Sequence, residues 1–528
     1  MASSGPTRAV TAEDLGIPET FNAADYFVDR HVREGRGAKV AIACGEQQVT
    51  YREVAAGVTR VGAALRDQLG VRAEDRVLLL LLDGPEFVYT FFGAMHIGAV
   101  PVPVNTLWQS PDYQYVLNDS RARVVVVSDA LLPLVQAIPR ETLPNLEHLV
   151  VAGDAPAGTR ALTDVLDDDV APTAAAATNR DDPALWLYSS GSTGSPKGCV
   201  HLHHDMVVCS ELFGKGILGV TEADRCFSVA KLFFAYGLGN ALTFPFAVGA
   251  TAILSPTRPT AAGVYEMIER QRPSLFFSVP TNFGMLLAHR RDSAPDFDLS
   301  SIRHAVSAGE ALPPALYDRF KERFGIDILD GLGSTEALHT FISNRPDTIR
   351  PGSSGLVVPG YETQLVDDDG QTVPPGNIGH LLVKGDSICA GYGNQHEKSQ
   401  ATIGPWLRTG DRYHQDEDGF FWHAGRADDM LKVGGLWVSP VEVENVLIEH
   451  PAVRECGVVG QEDRDRLIKP SAFVVLNPGI EASAELAEEL KGFVREHVAE
   501  YKRPRWVDFV AELPRTATGK LQRFKLRR

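Results

Sequence analysis

Short, unbroken apolar runs alternating with stretches of helical period limit this chain to a narrow set of folds. Residues 77–82 are apolar throughout and lead into a helix-patterned stretch over 85–97. The pairing recurs at 124–127 with 130–138, at 250–254 with 261–270, and at 275–279 with 282–290. A strand without a polar side has no face to give to water, so both faces must be covered. The intervening helices supply that cover and the crossovers that parallel pairing requires. The expected class is α/β, with stacked, mostly parallel sheets in a large N-terminal domain. From Gly352 the texture changes to short alternating segments, a β-rich subdomain, with Asp369-Gly370 and Asp418-Gly419 read as hairpin turns. The Ala/Thr/Asp-rich stretch 155–180 reads as a surface connection. A second boundary falls within 425–435. The second unit is small and α+β, with strands at 457–460 and 472–476 and helices at 441–449 and 484–498.

Composition narrows the function. A chain of 528 residues holds two to four packed units. With 51 basic against 68 acidic residues the net charge is −17, which disfavours nucleic acid as the main partner. The longest aliphatic stretch stops at Asp83, far short of the roughly 20 apolar residues of a membrane span. Residues 1–6 lack the basic-then-apolar order of a secretory signal. Six cysteines (Cys44, Cys199, Cys209, Cys226, Cys389, Cys456) form no C-x-x-C pair, as expected of buried thiols in a reducing cytoplasm. The last 29 residues break the average. Nine basic and three acidic residues give +6 there, a solvated surface or a place where phosphates arrive.

Tyr188-Ser-Ser-Gly-Ser-Thr-Gly-Ser-Pro-Lys-Gly198 carries the strongest chemical signal. Glycines let backbone approach a phosphate, exposed N–H groups and hydroxyls donate to its oxygens, and Lys197 adds a charge. Pro196 occupies the place of the second Walker glycine, so the P-loop NTPase reading fails. The loop is expected between a strand and a helix, with His201, His203 and His204 starting that helix rather than holding a metal. Gly214-Lys-Gly-Ile-Leu-Gly219 lacks the preceding strand of a dinucleotide site. Asp367-Asp-Asp-Gly370 lacks the last glutamate of a calcium loop and reads as a turn.

With four further segments, this loop resembles the adenylate-forming superfamily of acyl-CoA ligases, peptide-synthetase adenylation domains and luciferases. The segments are Gly331-Leu-Gly-Ser-Thr-Glu336, Arg408-Thr-Gly-Asp411, Gly425-Arg-Ala-Asp-Asp429 and Pro514-Arg-Thr-Ala-Thr-Gly-Lys520, in family order. The resemblance implies a nucleotide site of Ser189, Ser190, Gly191, Ser192, Thr193, Gly194 and Lys197 around the phosphates. Ser307, Ala308, Gly309, Glu310 and Ala311 would form the adenine-side loop, with Asp330 near the exocyclic amine and Gly331 and Leu332 beside the base. Leu332 stands where many relatives stack a tyrosine. Thr335 would donate to the α-phosphate, Glu336 hold Mg²⁺, Asp411 accept from the ribose hydroxyls, and Arg426 support ribose and phosphate. Lys520 would be the catalytic lysine, reaching the oxygen between acyl carbon and phosphorus. By themselves, Glu336 and Asp411 equally suit a helix cap and a turn.

Lys231-Leu-Phe-Phe-Ala-Tyr-Gly-Leu-Gly-Asn240 and Leu338-His-Thr-Phe-Ile-Ser-Asn344 resemble the benzoate–CoA ligase branch. Amino-acid-activating relatives carry an aspartate where this chain has Ala235, and a buried ammonium without a counter-charge is costly. Ala235, Tyr236, Gly333, Leu338, His339 and Thr340 would line a short pocket for a flat ring; core packing serves Tyr236 and Leu338 equally well. Asp428 matches the hinge about which the C-terminal domain reorients, so the resemblance implies a division into residues 1–427 and 428–528, and Lys432, Gly434 and Gly435 match a hairpin that serves thioester formation. No residue is assigned to coenzyme A. The expected activity is an AMP-forming aryl-acid ligase using ATP, Mg²⁺ and coenzyme A, with benzoate as the leading acid. The rivals are delivery to an acyl carrier protein, a hydroxybenzoate, aminobenzoate or heteroaryl substrate, and a catalytically decayed nucleotide-binding regulator.

Overall fold

The computed structural model describes residues 8–157, 159–166, 174–189, 196–290, 296–426, 429–433, 436–464, 467–515 and 521–527. Two parallel sheets organise the N-terminal part. One is all-parallel, in the order Val100–Pro103, Arg76–Leu80, Val124–Ser128, His148–Ala152, Arg160–Ala161. The other has nine strands with six parallel ones at its centre: Ile328–Gly333, His304–Ser307, Leu275–Ser278, Arg225–Ser228, Thr251–Leu254 and Val40–Cys44.

Side chains on successive strand positions point to opposite faces, and here each set enters a different core. Val77, Leu79, Val124 and Val126 join a cluster shared with Ile42, Ala252, Leu275 and Phe277 of the larger sheet. Leu78, Leu80, Val125 and Val127 face outward under the helices Ser110–Ser120 and Leu132–Gln136. Ala43, Ile253, Phe276 and Ala305 face outward under Ala261–Gln271, Pro280–Ala288 and Pro314–Phe324. The shared core holds the helices Tyr51–Ala63 and Pro85–His96, so the layers run helix, sheet, helix, sheet, helix. The α/β class expected from the apolar runs is the observed one.

Differences from expectation have local causes. The second helix is a single short turn, Leu132–Gln136, because Pro133 has no N–H and fits only a first turn. The helix expected from residue 282 starts at Pro280, a favoured first position. The stretch 155–180 is more than a connection: Arg160–Ala161 adds an edge strand, and Leu162–Leu166 is helical. Asp418-Gly419 joins Leu407–Gln415 to Phe421–Arg426 as a hairpin. After Asp369-Gly370 only the bridge Val366 to Thr372 forms before the next strand begins at Gly379. Pro374 and Pro375 intervene and cannot donate to a ladder.

The C-terminal residues build a core of their own. Val453–Glu462 and Ile468–Leu476 pair antiparallel, and Trp506–Phe509 adds a parallel edge. The helices Pro440–Glu449 and Ala484–His497 cover one face, and Leu513 and Leu526 the other. Among the described residues of the basic tail, several cations are met by carboxylates of the protein. Arg523 grips Glu444 at 2.7 Å and approaches Asp429 at 3.6 Å, while Arg527 reaches Asp429 at 2.7 Å. Lys502 holds Glu442, and Arg515 pairs with Glu310 and Glu455. Glu444 also accepts the Val458 N–H at 2.7 Å, so its buried carboxylate ties helix, strand and tail together. Arg523→Met is expected to destabilise this unit by about 3 kcal/mol, since it strands a buried charge. Hydrogen exchange along Val453–Glu462 measures that loss, and Arg523→Lys is expected to recover part of it.

Candidate active site

Both parallel sheets send their carboxyl ends to one cleft, the position where open α/β sheets bind ligands. Each wall segment follows a strand: Leu82 and Asp83 after Arg76–Leu80, Thr106 after Val100–Pro103, and residues 229–236 after Arg225–Ser228. Val279 and Thr281 follow Leu275–Ser278, residues 308–310 follow His304–Ser307, and 333–340 extend from Ile328–Gly333. The enclosed cavity measures about 540 Å³. All six residues expected around an aryl ring, Ala235, Tyr236, Gly333, Leu338, His339 and Thr340, line it, as do Ser189, Ala308, Gly309, Glu310 and Thr335. Ala311 follows in the same loop.

The wall carrying Ala235 and Tyr236 is built from a tight turn. Gly237 packs so closely that a Cβ there would lie 2.1 Å from the Lys231 carbonyl oxygen, so the short helix Ala235–Leu238 can sit against this loop only with glycine. The Tyr236 hydroxyl donates to the Ser278 and Val306 carbonyls, each at 3.2 Å, joining the ends of two neighbouring strands. His339 stands among Phe213, Phe244 and Tyr236. Burial pushes its pKa down to about 3, so it is a neutral ring with Nε2 3.1 Å from Asn240 Oδ1. Two polar residues of the wall escaped sequence reasoning. Lys231 donates to the Ser255 and Thr257 carbonyls and lies 3.9 Å from Asp83, whose pKa burial pushes up to about 6.

The Thr335-Glu336-Ala337 turn is held carbonyl by carbonyl. His201 Nε2 meets the Thr335 oxygen at 2.8 Å, the Cys389 N–H donates to Glu336 at 2.8 Å, and the Ser387 hydroxyl donates to Ala337 at 2.9 Å. Leu338 closes the turn with φ 64°, a left-handed conformation that a branched side chain adopts only under constraint. Behind His201, Nδ1 lies 2.8 Å from Asp205 Oδ2, and both side chains are fully buried. A carboxylate and a carbonyl are both acceptors, so both ring nitrogens carry protons. Burial opposes that charge, but the bond to Asp205 and its charge outweigh burial and raise the His201 pKa. The histidine run therefore does not start a helix. His201 lies in the strand Lys197–Leu202, His203 accepts the Ala23 N–H, and the helix begins at Asp205. The expected phosphate loop likewise joins two antiparallel strands, Pro183–Ser189 and Lys197–Leu202, with Ser189 opposite Lys197.

Among the residues expected at a nucleotide, Ser307 and Asp330 are neighbours across two parallel strands. Asp330 is buried; its Oδ2 is 3.4 Å from the Leu312 N–H, while Oδ1 meets no hydrogen-bond partner. Burial pushes its pKa up to about 8. Gly331 and Leu332 continue the strand against Ser343 and Ile342. Asp411 and Arg426 face each other across a hairpin, 3.1 Å apart. Glu336 accepts the Tyr392 hydroxyl at 2.8 Å, and Lys197 lies 5.0 Å over the Tyr392 ring. Burial lowers the Lys197 pKa, with Lys398 adding to the effect. Ser190, Gly191, Ser192, Thr193, Gly194, Asp428, Gly434, Gly435 and Lys520 lie outside the described residues, as does the Lys432 side chain.

Known proteins share this arrangement. The AMP-binding enzyme model matches residues 28–393, and the AMP-binding enzyme C-terminal domain model matches 442–520. The chain is 50% identical to a benzoate–CoA ligase of Thauera aromatica over 98% of both proteins. It is 45% identical to a 4-hydroxybenzoate–CoA/benzoate–CoA ligase of Rhodopseudomonas palustris, over 96% of this chain and 94% of that one. A crystal structure of an anthranilate CoA ligase with anthranoyl-AMP superposes with a TM-score of 0.93 at 47% identity, covering 97% of this chain and 98% of that one. A benzoate CoA ligase from Burkholderia xenovorans gives 0.88 at 45% identity, over 96% and 100%. With both family models matched in order and relatives alike from end to end, this chain belongs to the AMP-binding enzyme family, the adenylate-forming superfamily its five motifs resemble.

Proposed function

We propose that this chain joins an aryl acid, benzoate foremost, to coenzyme A through an aryl-adenylate. It is an AMP-forming acid–thiol ligase, and its substrates are an aryl carboxylate, ATP and coenzyme A. The observation that carries the choice of acid is the cavity wall. Ala235 supplies no counter-charge for an ammonium, His339 is neutral, and Asp83 is already matched by Lys231. Likeness to benzoate ligases along nearly the whole chain supports the same choice. A ring hydroxyl or amino group is a second reading, favoured by the hydroxybenzoate and anthranilate ligases among the relatives. Free coenzyme A is preferred to a carrier protein as acceptor. Among the described residues no helix is long and apolar enough to cross a membrane. The free cysteines favour a cytoplasmic setting.

In the first step a carboxylate oxygen attacks the α-phosphorus and pyrophosphate leaves; in the second a thiol attacks the acyl carbon and AMP leaves. Neither step needs a protein nucleophile, so catalysis is positioning and charge stabilisation. The unpartnered Oδ1 of Asp330 fits an adenine amine as donor, and Asp411 with Arg426 fits a ribose. Thr335, fixed through its carbonyl, would present its N–H and hydroxyl to the α-phosphate, with Lys197 and Ser189 to Gly194 around the outer phosphates. Mg²⁺ is commonly held by one or two carboxylates plus phosphates rather than by a protein cage. Glu336, partly open and oriented by Tyr392, suits that role, and the ion would offset phosphate charge. Lys520 would serve adenylate formation alone. We place the domain division at residues 427 and 428, with Asp428 as hinge and Lys432, Gly434 and Gly435 approaching the thiol in the second step.

Pyrophosphate–ATP exchange across aryl and alkyl acids is expected to be fastest with benzoate, with ring-substituted relatives next; exchange with no aryl acid overturns the pocket reading. Lys520→Ala is expected to abolish adenylate formation while sparing thioester formation from supplied aryl-AMP. His201→Ala frees the Thr335 carbonyl and is expected to slow adenylate formation about 100-fold, with little change in KM for the aryl acid.

A further inference from the structure

We infer that Arg515 is a reversible latch between the two domains, holding the C-terminal domain where adenylate formation needs it and releasing it for thioester formation. The inference rests on the domain reorientation proposed above. One guanidinium spans both units. Its Nη1 donates to Thr281 Oγ1 at 3.0 Å and to Glu310 Oε1 at 3.3 Å. Its Nη2 donates to Glu455 Oε2 at 2.9 Å. Thr281 opens the helix Pro280–Ala288 and Glu310 follows the strand His304–Ser307, and both line the reaction cavity. Glu455 belongs to the strand Val453–Glu462 of the C-terminal sheet. The Thr281 hydroxyl also donates to Glu310 Oε2 at 3.3 Å, so the N-terminal half of the grip is itself ordered.

The place of Arg515 in its own unit gives the contact its leverage. The chain turns back on itself there: Arg515 bridges Leu521, and the Gln522 N–H donates to the Pro514 carbonyl at 2.8 Å. Seating Arg515 on the cavity rim therefore also seats Leu521 and Gln522, the described residues that follow the lysine segment. The two carboxylates have different parts. Glu455 moves with Arg515 and stays paired in any orientation, so breaking the contact to Glu310 never leaves the guanidinium alone. The pairs are a quarter to a third exposed (24% for Arg515, 25% for Glu310, 34% for Glu455), so solvent screens them and the grip is moderate. A latch that must open in every cycle requires that strength; a fully buried pair would hold one orientation and stall the second step.

The two half-reactions of the full-length enzyme test this. Arg515→Ala is expected to lower pyrophosphate–ATP exchange with benzoate about tenfold while thioester formation from supplied benzoyl-AMP and coenzyme A holds or rises. Arg515→Lys, a point charge without the fork, is expected to lose less than the alanine variant but not to match the parent. Glu310→Gln is expected to lower exchange to a similar degree, and the double variant no further, because the two side chains act as one contact. Equal losses in both half-reactions, additive losses, or unchanged exchange would each overturn the latch. Lys520→Ala separates the two ideas: if it spares thioester formation while Arg515→Ala does not, only the latch is wrong. If Lys520→Ala lowers both half-reactions alike, the reorientation itself is wrong.

Discussion

Burial of two parallel sheets on both faces is the constraint on which the rest of this molecule depends. Leu78 and Leu79 enter different cores, as do Phe276 and Phe277. Neither sheet can shift by one residue without exchanging its two apolar surfaces. Fixed register fixes where strands end, and the strand ends carry the chemistry. The Tyr236 hydroxyl finds the carbonyls of Ser278 and Val306 side by side because their strands are in register. The cavity is thus a consequence of the core rather than an addition to its surface.

Above that scaffold, the polar parts of the site are held from behind. The turn at Thr335 has a left-handed leucine at its end and needs external partners to persist. Those partners come from two distant stretches of chain, His201 with Asp205 and Ser387 with Cys389. A doubly protonated histidine between a carboxylate and a carbonyl is a strong link only where water is absent, because a low dielectric strengthens each bond. The burial that makes such a ring costly in isolation also makes the pair with Asp205 effective. Removing the aspartate alone would leave the charged ring without compensation, so the two residues function as a unit.

These relations mark the limit of what the sequence could reveal. The apolar runs set the strand faces because that signal is local; the glycine- and hydroxyl-rich segments, equally local, supply the nucleotide site proposed above. The pocket segments 231–240 and 338–344 were legible by resemblance and meet at one cavity. His201 was legible only as part of a histidine run. Its partner Thr335 lies 134 positions away, and no spacing rule links a side chain to a remote carbonyl. Lys231 was quoted within a motif, yet its pairing with Asp83 depends on two strands from different sheets ending together. The phosphate loop was expected to lead into a helix because small residues followed by a basic one suit either continuation; the pairing of Ser189 with Lys197 decides for a hairpin.

The basic tail shows how much of a charge excess can be met within one chain. Among its described residues, Lys502, Arg515, Arg523 and Arg527 each face a carboxylate. The excess cations lie opposite part of the excess anions. Most of these pairs are internal to the C-terminal unit and tie its helix, strand and tail to one another. The domain reorientation proposed above asks for a body that does not itself deform, and the ion pairs around Asp429 and Glu444 suit that demand. Arg515 reaches outside that body, and its partner Glu310 sits on the cavity rim. Arg515 thus joins the charge that holds the C-terminal unit together to a carboxylate outside it, which the other cations of the tail named here do not do.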